Sequence, residues 1–351
     1  MTSVGTGRSI LITGAGGAAA VTLIRALRDR YRIIAADMDP LAVGLYLVPA
    51  VDRVLLPRGD DPTFVPILLQ EARTRGVDLV IPTVDVELAG VSRAAADFAA
   101  HAVAVLVETP ATLDRCLDKW ELVQVCARSV RVPATVLLDD ETTSDQIAAL
   151  GAPFIVKPRR GSGGRGFAVI DNEEMLGDIP RDGTQILQEL LPGDEFSIDV
   201  LARPDGHVVA AVPRRRDKVD SGIAVASRTM KDESLVAFGR TVAAAVGVVG
   251  VVNVQARRAA DGTPALLEVN PRFPGTMALT MIAGVDMPNL AVAAAFGEPI
   301  PDSIDFSEVA VVRHWDEVVV PIEEYAASHA AAYAADDAAE LVSSRPTPVA
   351  T

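Results

Sequence analysis

Cysteine, histidine and aromatic residues are all scarce in this chain of 351 residues. Two cysteines, Cys116 and Cys126, cannot build a disulfide framework and match no zinc-binding spacing. They read as ordinary thiols of a reducing compartment. The four histidines, His101, His207, His314 and His329, form no metal pair by spacing, and no Ser/His/Asp triad stands out. With aromatics at 4%, the cores must be built from Ala, Val, Leu and Ile. No apolar run reaches the length of a membrane span, and Met1 to Ser9 lacks the pattern of a signal peptide. Positive charge is also in deficit: 32 Lys and Arg face 47 Asp and Glu, for a net charge of −15. That balance argues against a nucleic-acid surface, although a local basic pocket stays open. The expectation is a soluble cytoplasmic protein of two or three domains, with neither nucleic acid nor membrane as partner.

What is present is an alternation of strands and helices. Ser9 to Thr13 reads as a buried strand, Gly14 to Gly17 turns into a helix, and Tyr31 to Ala36 is a second strand ending at Asp37. Val51 to Leu56, a helix over Phe64 to Arg75, a strand from Asp78 to Pro82, a helix around Leu88 to Ala100 and a strand from Ala102 to Val107 follow. Such alternation means parallel βαβ units. Thr109-Pro110 opens a helix with an N-cap and a first-turn proline, and that helix is expected to run through Leu117 and Lys119 to Cys126. From Gln185 strands dominate, interrupted by a helix over Leu235 to Ala245 and followed by helices over Met277 to Ala283 and Pro288 to Phe296. The fold class expected is α/β and α+β.

Two segments carry the chemistry. Ile155-Val156-Lys157 is a short strand delivering a lysine to a loop with Gly161, Ser162, Gly163, Gly164 and Gly166. Glycines let successive N–H groups approach an anion, and Lys157 adds a point charge suited to nucleotide phosphates. Alone, the loop could as well be merely flexible. Its partner is Leu266-Leu267-Glu268-Val269-Asn270-Pro271-Arg272. Alternation puts Glu268 and Asn270 on one strand face, and oxygen donors at that spacing suit Mg²⁺. A third segment, Gly14-Ala15-Gly16-Gly17 with Asp37 some way beyond, imitates a dinucleotide fingerprint. It supports an NAD(P)-dependent oxidoreductase, simple helix packing, or an anionic substrate at the helix N-terminus.

Taken together the residues resemble the ATP-grasp ligases, in particular a single synthetase unit of the carbamoyl-phosphate synthase large chain. The pieces are Asp118-Lys119, the Lys157 loop, Gln188 to Glu195, Asn253-Val254-Gln255, and Glu268 to Arg272, in the family's order, with Pro82 to Leu88 matching a first-domain loop. The resemblance spans about residues 9 to 320. It implies a Rossmann-like parallel-sheet domain (1–108), a small grasp lobe with the glycine flap (109–184), a C-terminal grasp lobe with the metal site (185–322), and an alanine-rich, partly disordered tail (323–351).

The resemblance also implies roles. Lys119 and Lys157 would reach ATP phosphates beneath the flap. Gln188, Glu189, Leu190 and Leu191 would line the adenine, and Glu195 would take the ribose hydroxyls. Gln255, Glu268 and Asn270 would hold Mg²⁺, with Mn²⁺ as the alternative. A glutamine at position 255 is normal in this branch, although other members place a carboxylate there. Arg272 would stabilise the phosphoryl group in flight, unless it simply pairs with Glu268. For the acceptor, Arg214, Arg216, Arg228 and Gly275 are candidates, the arginines belonging otherwise to a solvated charge run. The activity implied joins a carboxylate to an amine through an acyl phosphate, releasing ADP and phosphate. Alternatives are a carboxyphosphate-type phosphorylation or carboxylation, the oxidoreductase, and a non-catalytic nucleotide-binding module. A homodimer is expected only from relatives.

Overall fold

The computed structural model describes residues 7–161, 166–220, 223–314 and 316–328. The flap residues Ser162, Gly163 and Gly164, and the tail from residue 329 on, lie outside the described residues. Among the described residues no helix is long and apolar enough to cross a membrane.

The first unit contains β1 (Ser9–Ile12), α1 (Ala18–Leu27), β2 (Arg32–Asp37), β3 (Arg53–Leu55), α2 (Phe64–Thr74) and β4 (Leu79–Ile81). It closes with α3 (Asp85–Arg93), α4 (Ala95–Ala99) and β5 (Ala104–Val105). Its five strands form one parallel sheet in the order β3-β2-β1-β4-β5. β1 is buried along its whole length because both faces are covered. Ile10 and Ile12 pack with Leu23, Ile24 and Leu27 of α1, while Leu11 faces Phe64 and Leu68 of α2 and Phe98 of α4. Period-two alternation along one apolar strand thus serves two cores at once.

Two antiparallel sheets follow. The smaller is built from β6 (Thr135–Leu138), β7 (Phe154–Pro158), β8 (Ala168–Ile170) and β9 (Gln185–Glu189), in the order β6-β9-β7-β8, with α7 (Ser144–Ala148) on its apolar side. The larger holds β10 (Glu195–Ala202), β11 (Val208–Asp220), β12 (Ile223–Thr229), β13 (Val251–Arg258), β14 (Pro264–Asn270) and β15 (Ala310–Val312). Its order is β14-β13-β10-β11-β12-β15. α8 (Glu233–Val246) buries Leu235, Phe238, Val242 and Val246 against it, a helical stripe worth about 1.5–3 kcal/mol per side chain. Gly239 sits in that stripe because a Cβ there would come within 2.6 Å of Ile198 Cγ2. α9 (Met277–Ile282) and α10 (Met287–Ala295) join the core shared with α1 and so dock the first unit on the larger sheet.

Three expectations change. The helix from Thr109 to Cys126 is two helices, α5 (Pro110–Cys116) and α6 (Lys119–Cys126). Apolar periodicity runs through the break, but Asp118 caps α6 by accepting from the N–H groups of Trp120 and Glu121. Both helices pack through Cys116, Leu122 and Cys126 on the larger sheet's core, while the start of α6 is tied to the end of β7 in the small sheet. The expected boundary at 184/185 cuts the small sheet, because β9 hydrogen-bonds to β6 and β7 within it. Strands β12 and β15 were not foreseen; β12 pairs with β11, and β15 forms the sheet edge.

Candidate functional site

Strand alternation makes one face of the larger sheet polar. On β10, Glu195, Ser197 and Asp199 alternate with Phe196, Ile198 and Val200, which enter the core under α8. Register sets Ser197 beside Arg214 and Gln255, Asp199 beside Asn253, Gln255 beside Glu268, and Asn253 beside Asn270. The polar face is therefore a continuous plate of donors and acceptors.

Two lysines face it. Lys157 projects from β7, and Lys119 opens α6. Asp118 ties these elements together: its oxygens accept from Arg159 Nε at 2.8 Å and Arg160 Nη2 at 3.0 Å, while the Lys119 N–H donates to Arg159 O at 3.0 Å. Burial opposes ionisation of Asp118, yet Arg159 and the helix N–H groups hold its carboxyl below the usual range. Lys119 Nζ donates to Gly161 O at 2.7 Å, latching the start of the flap. Burial pushes Lys157 down to about 8, partly offset by the charges of Glu268 and Glu195 and reinforced by Lys119. Lys119 is lowered by burial too, against Glu268, Asp118 and Asp85. The two ammoniums and the Glu268 carboxylate they share thus converge on one volume, with Glu195 and Asp85 at its margins.

The expected oxygen donors are together. Gln255 and Glu268 are register partners, and Asn270 Nδ2 donates to Glu268 Oε1 at 3.1 Å, leaving the Asn270 carbonyl oxygen for a cation. Glu268 and Asn270 fit a hard divalent ion, one carboxylate and one amide oxygen among nucleotide phosphates. Gln255 fits less fully, since its Oε1 accepts from Arg216 Nη1 at 3.4 Å. Arg216 also pairs with Glu195, so the expected ribose acceptor already has a cation on it.

The remaining expected residues separate. Gln188 is buried, donates from Nε2 to Thr135 Oγ1 at 3.0 Å, and has no hydrogen-bond partner for its Oε1 among the described residues. Glu189 turns away, accepting from the Ala134 N–H at 3.1 Å and pairing with Arg131, so only its main chain is left for a base. Leu191 is core, packed with Ala259, Ala265 and Leu267. Leu190 does not line the cavity described below. Gly161 and Gly275 line it, and Gly275 O accepts from Arg313 Nη1 at 3.0 Å. Arg214 is 1% exposed and held by Asp199. Arg228 is not part of the site: in register with Arg215, it lies on the opposite sheet face from Arg214 and Arg216 and pairs with Asp217. Arg272 pairs with Asp85 rather than with Glu268, its Nε to Oδ1 distance being 2.6 Å.

One cavity of about 870 Å³ joins these groups to the first unit. At one end are Ile155, Lys157, Gln188, Leu267 and Glu268; at the other are Gly14, Gly16, Asp37, Thr83 and Glu87, with Arg272 and Gly275 between. The glycine turn is closed on itself. The Gly16 N–H donates to Asp37 Oδ2 at 2.7 Å, the Gly17 N–H to Gly14 O at 2.9 Å, and Asp37 Oδ1 accepts from the Asp39 N–H at 2.9 Å. A dinucleotide needs those N–H groups for pyrophosphate and that carboxylate for ribose. Asp37 also brings negative charge to the start of α1, which disfavours an anionic substrate there. Glu87, buried beside Thr13, is raised to about 7 by burial despite the Thr13 hydroxyl donating to it.

Ser197, Asp199, Asn253 and Asp85 belong to this constellation without having been named as site residues from the sequence. For the first two the signal was available in the E-F-S-I-D-V alternation of β10.

Residues 181–318 match a family model described as ATP-grasp in the biosynthetic pathway with Ter operon, and residues 10–106 match the PylC-like N-terminal domain. Solved structures share the architecture at low identity. Biotin carboxylase from Campylobacter jejuni, described as a β,γ-ATP complex, superposes with a TM-score of 0.70 at 18% identity, covering 84% of this chain and 72% of its own. The biotin carboxylase domain dimer of Hydrogenobacter thermophilus 2-oxoglutarate carboxylase, described with MgADP, ADP and bicarbonate, gives 0.68 at 18%, over 86% and 71%. N5-carboxyaminoimidazole synthetase from Staphylococcus aureus, complexed with ADP, gives 0.69 at 16%, over 87% and 82%. Residues 181–318 thus carry an ATP-grasp domain and residues 10–106 a PylC-like N-terminal domain, and the chain shares its fold with these solved structures.

Proposed function

We propose that this chain joins a small carboxylic acid to an amine, forming an amide or peptide bond by way of an acyl phosphate. The observation that carries the reading is the facing of Lys119 and Lys157 with Glu268 and Asn270 across one cavity that continues to the first unit. Such an arrangement neutralises a triphosphate at one end and leaves room for two further substrates at the other.

In this reading a carboxylate oxygen attacks the γ-phosphorus and the bond to the bridging oxygen breaks, releasing ADP. The amine nitrogen then attacks the acyl carbon, phosphate leaves, and the amine proton passes to solvent or phosphate. Lys157 and Lys119 hold the phosphates, and the Glu195–Arg216 pair borders the ribose. Arg272, steadied by Asp85, meets the negative charge that builds on the transferred phosphoryl group. Magnesium, which Glu268 and Asn270 would hold with Gln255 beside them, would supply neutralisation of phosphate charge; manganese suits the same donors.

The test is ADP release from Mg-ATP with pools of small acids and amines, using Lys157→Ala as control. ADP that depends on both an acid and an amine supports the reading, whereas AMP as product overturns it. A second reading, phosphorylation of bicarbonate to carboxyphosphate, is favoured by one relative's being described with bicarbonate. ADP release that depends on bicarbonate in place of an organic acid would select it.

A further inference from the structure

We propose that Arg214 receives a second anionic group of the acid substrate, so that the acid is a dicarboxylate or an acid of equivalent charge; this rests on the ligase reading above. Asp199 holds the guanidinium along one edge, through Nε at 3.0 Å and Nη2 at 2.7 Å. The same carboxylate accepts from Asn253 Nδ2 at 2.7 Å and Thr280 Oγ1 at 2.5 Å. Asp199 is fully buried, and its two oxygens are saturated by four donors, two of them the Nε and Nη2 of Arg214, so it engages only that edge of the guanidinium.

The opposite edge of the fork is unmet. Arg214 Nη1 is buried and has no hydrogen-bond partner among the described residues, and Arg214 borders the large cavity. A buried charged donor without an acceptor bears its full desolvation cost. The planar fork suits a carboxylate better than any neutral group, and Asp199 fixes its orientation in advance.

Position separates this group from the reacting carboxylate. Arg214 lies on β11, and Glu268 and Asn270 lie on β14, with β10 and β13 between. Strands about 4.8 Å apart put roughly 14 Å between those rows, of which the Arg214 side chain crosses about one strand spacing to reach Asp199. The remaining gap, about 10 Å, has room for the Glu268 and Asn270 side chains with the phosphoryl group and for a small acid beside them. Arg216, on the same face, has Glu195 and Gln255 as partners. The unmet Nη1 therefore makes Arg214 the stronger candidate for this anchor.

The experiment uses the full chain with Mg-ATP and hydroxylamine as a general trap for acyl phosphates. Dicarboxylates from succinate to adipate, with aspartate and glutamate, are compared with matched monocarboxylates and monoamides. Wild type should favour a diacid at least 10-fold in kcat/KM. Arg214→Lys should raise KM for that diacid at least 10-fold while KM for ATP holds. The double variant Asp199→Asn/Arg214→Met removes both charges of the pair, keeps the volume, and should erase the preference. Binding of the same acids, measured by calorimetry with a non-hydrolysable ATP analogue, gives a readout independent of turnover. Diacid binding that Arg214→Lys weakens, without any turnover, would support the anchor and sink the ligase reading. Turnover without a diacid preference, a KM change that falls on ATP, a preference surviving in the folded double variant, or no diacid binding would each overturn the anchor.

Discussion

Arg272 and Asp85 grip each other across the seam between the larger sheet and the first unit, Nε to Oδ1 at 2.6 Å and Nη2 to Oδ2 at 3.1 Å. A bidentate pair of this kind fixes direction as well as distance. Asp85 is the first residue of α3, so the helix that follows β4 also aims the arginine just beyond β14.

Loosening that grip should cost rate before it costs binding. Asp85→Asn is expected to lower kcat about 10- to 100-fold with little change in KM for ATP. Arg272→Lys, which loses the fork altogether, should cost about 10²–10³-fold, the usual penalty for removing a transition-state donor. Steady-state ADP release measures both. An unchanged kcat in Asp85→Asn would show the pair to be idle.

Lys157 gives a signature in proton uptake. Burial lowers its ammonium to about 8, whereas bound phosphates favour the charged form. Near pH 9, ATP binding should therefore take up close to one proton, seen as a dependence of the calorimetric enthalpy on the buffer's ionisation heat. Lys157→Met should remove the uptake. The folded value lies below the unfolded one, so this group's contribution to stability is fully present above about 10.5 and is lost as pH falls through about 8.

Replacing Glu268 by Gln keeps its shape and removes the one carboxylate among the three oxygen donors. We expect the Mg²⁺ concentration for half-maximal turnover to rise more than 10-fold, with the melting temperature unchanged or higher. Metal titration of ADP release decides the matter, and an unaltered midpoint would remove Glu268 from the cation site.

Glu108 governs stability at a distance from the chemistry. It is 2% exposed, accepts from the Val249 N–H at 2.9 Å, and is raised to about 7 by burial. A raised carboxyl contributes stability that is complete below its unfolded value, about 4.5, and lost as pH rises through about 7. Glu108→Gln should flatten that decline, retaining up to about 3 kcal/mol at pH 8, because each tenfold change in proton affinity is worth about 1.4 kcal/mol. Denaturant midpoints at pH 5 and pH 8 would read it.

The legible part of this molecule was local. The strand alternation of β10 and β14, the Thr109 cap, and the βαβ rhythm of the first unit are all written within a few residues of where they act. What escaped is tertiary. The break between α5 and α6 depends on Asp118 meeting Arg159 and Arg160 just beyond β7, contacts that apolar periodicity does not encode. Arg216 settling between Glu195 and Gln255, and Arg272 turning to Asp85 rather than to its near neighbour Glu268, are choices among several available partners. Only the packed register decides them.

The two-sided alternation of β10 also constrains how the chain can change. A substitution on Ser197 alters the cleft and leaves Phe196 and Ile198 in the core. Deleting one residue there would turn Glu195, Ser197 or Asp199 inward beneath α8 and send an apolar side chain into the cavity. Variation along this strand is thus confined to replacement at fixed length, and lengthening or shortening belongs in turns such as the one at Asp205-Gly206, where the count of residues sets no face.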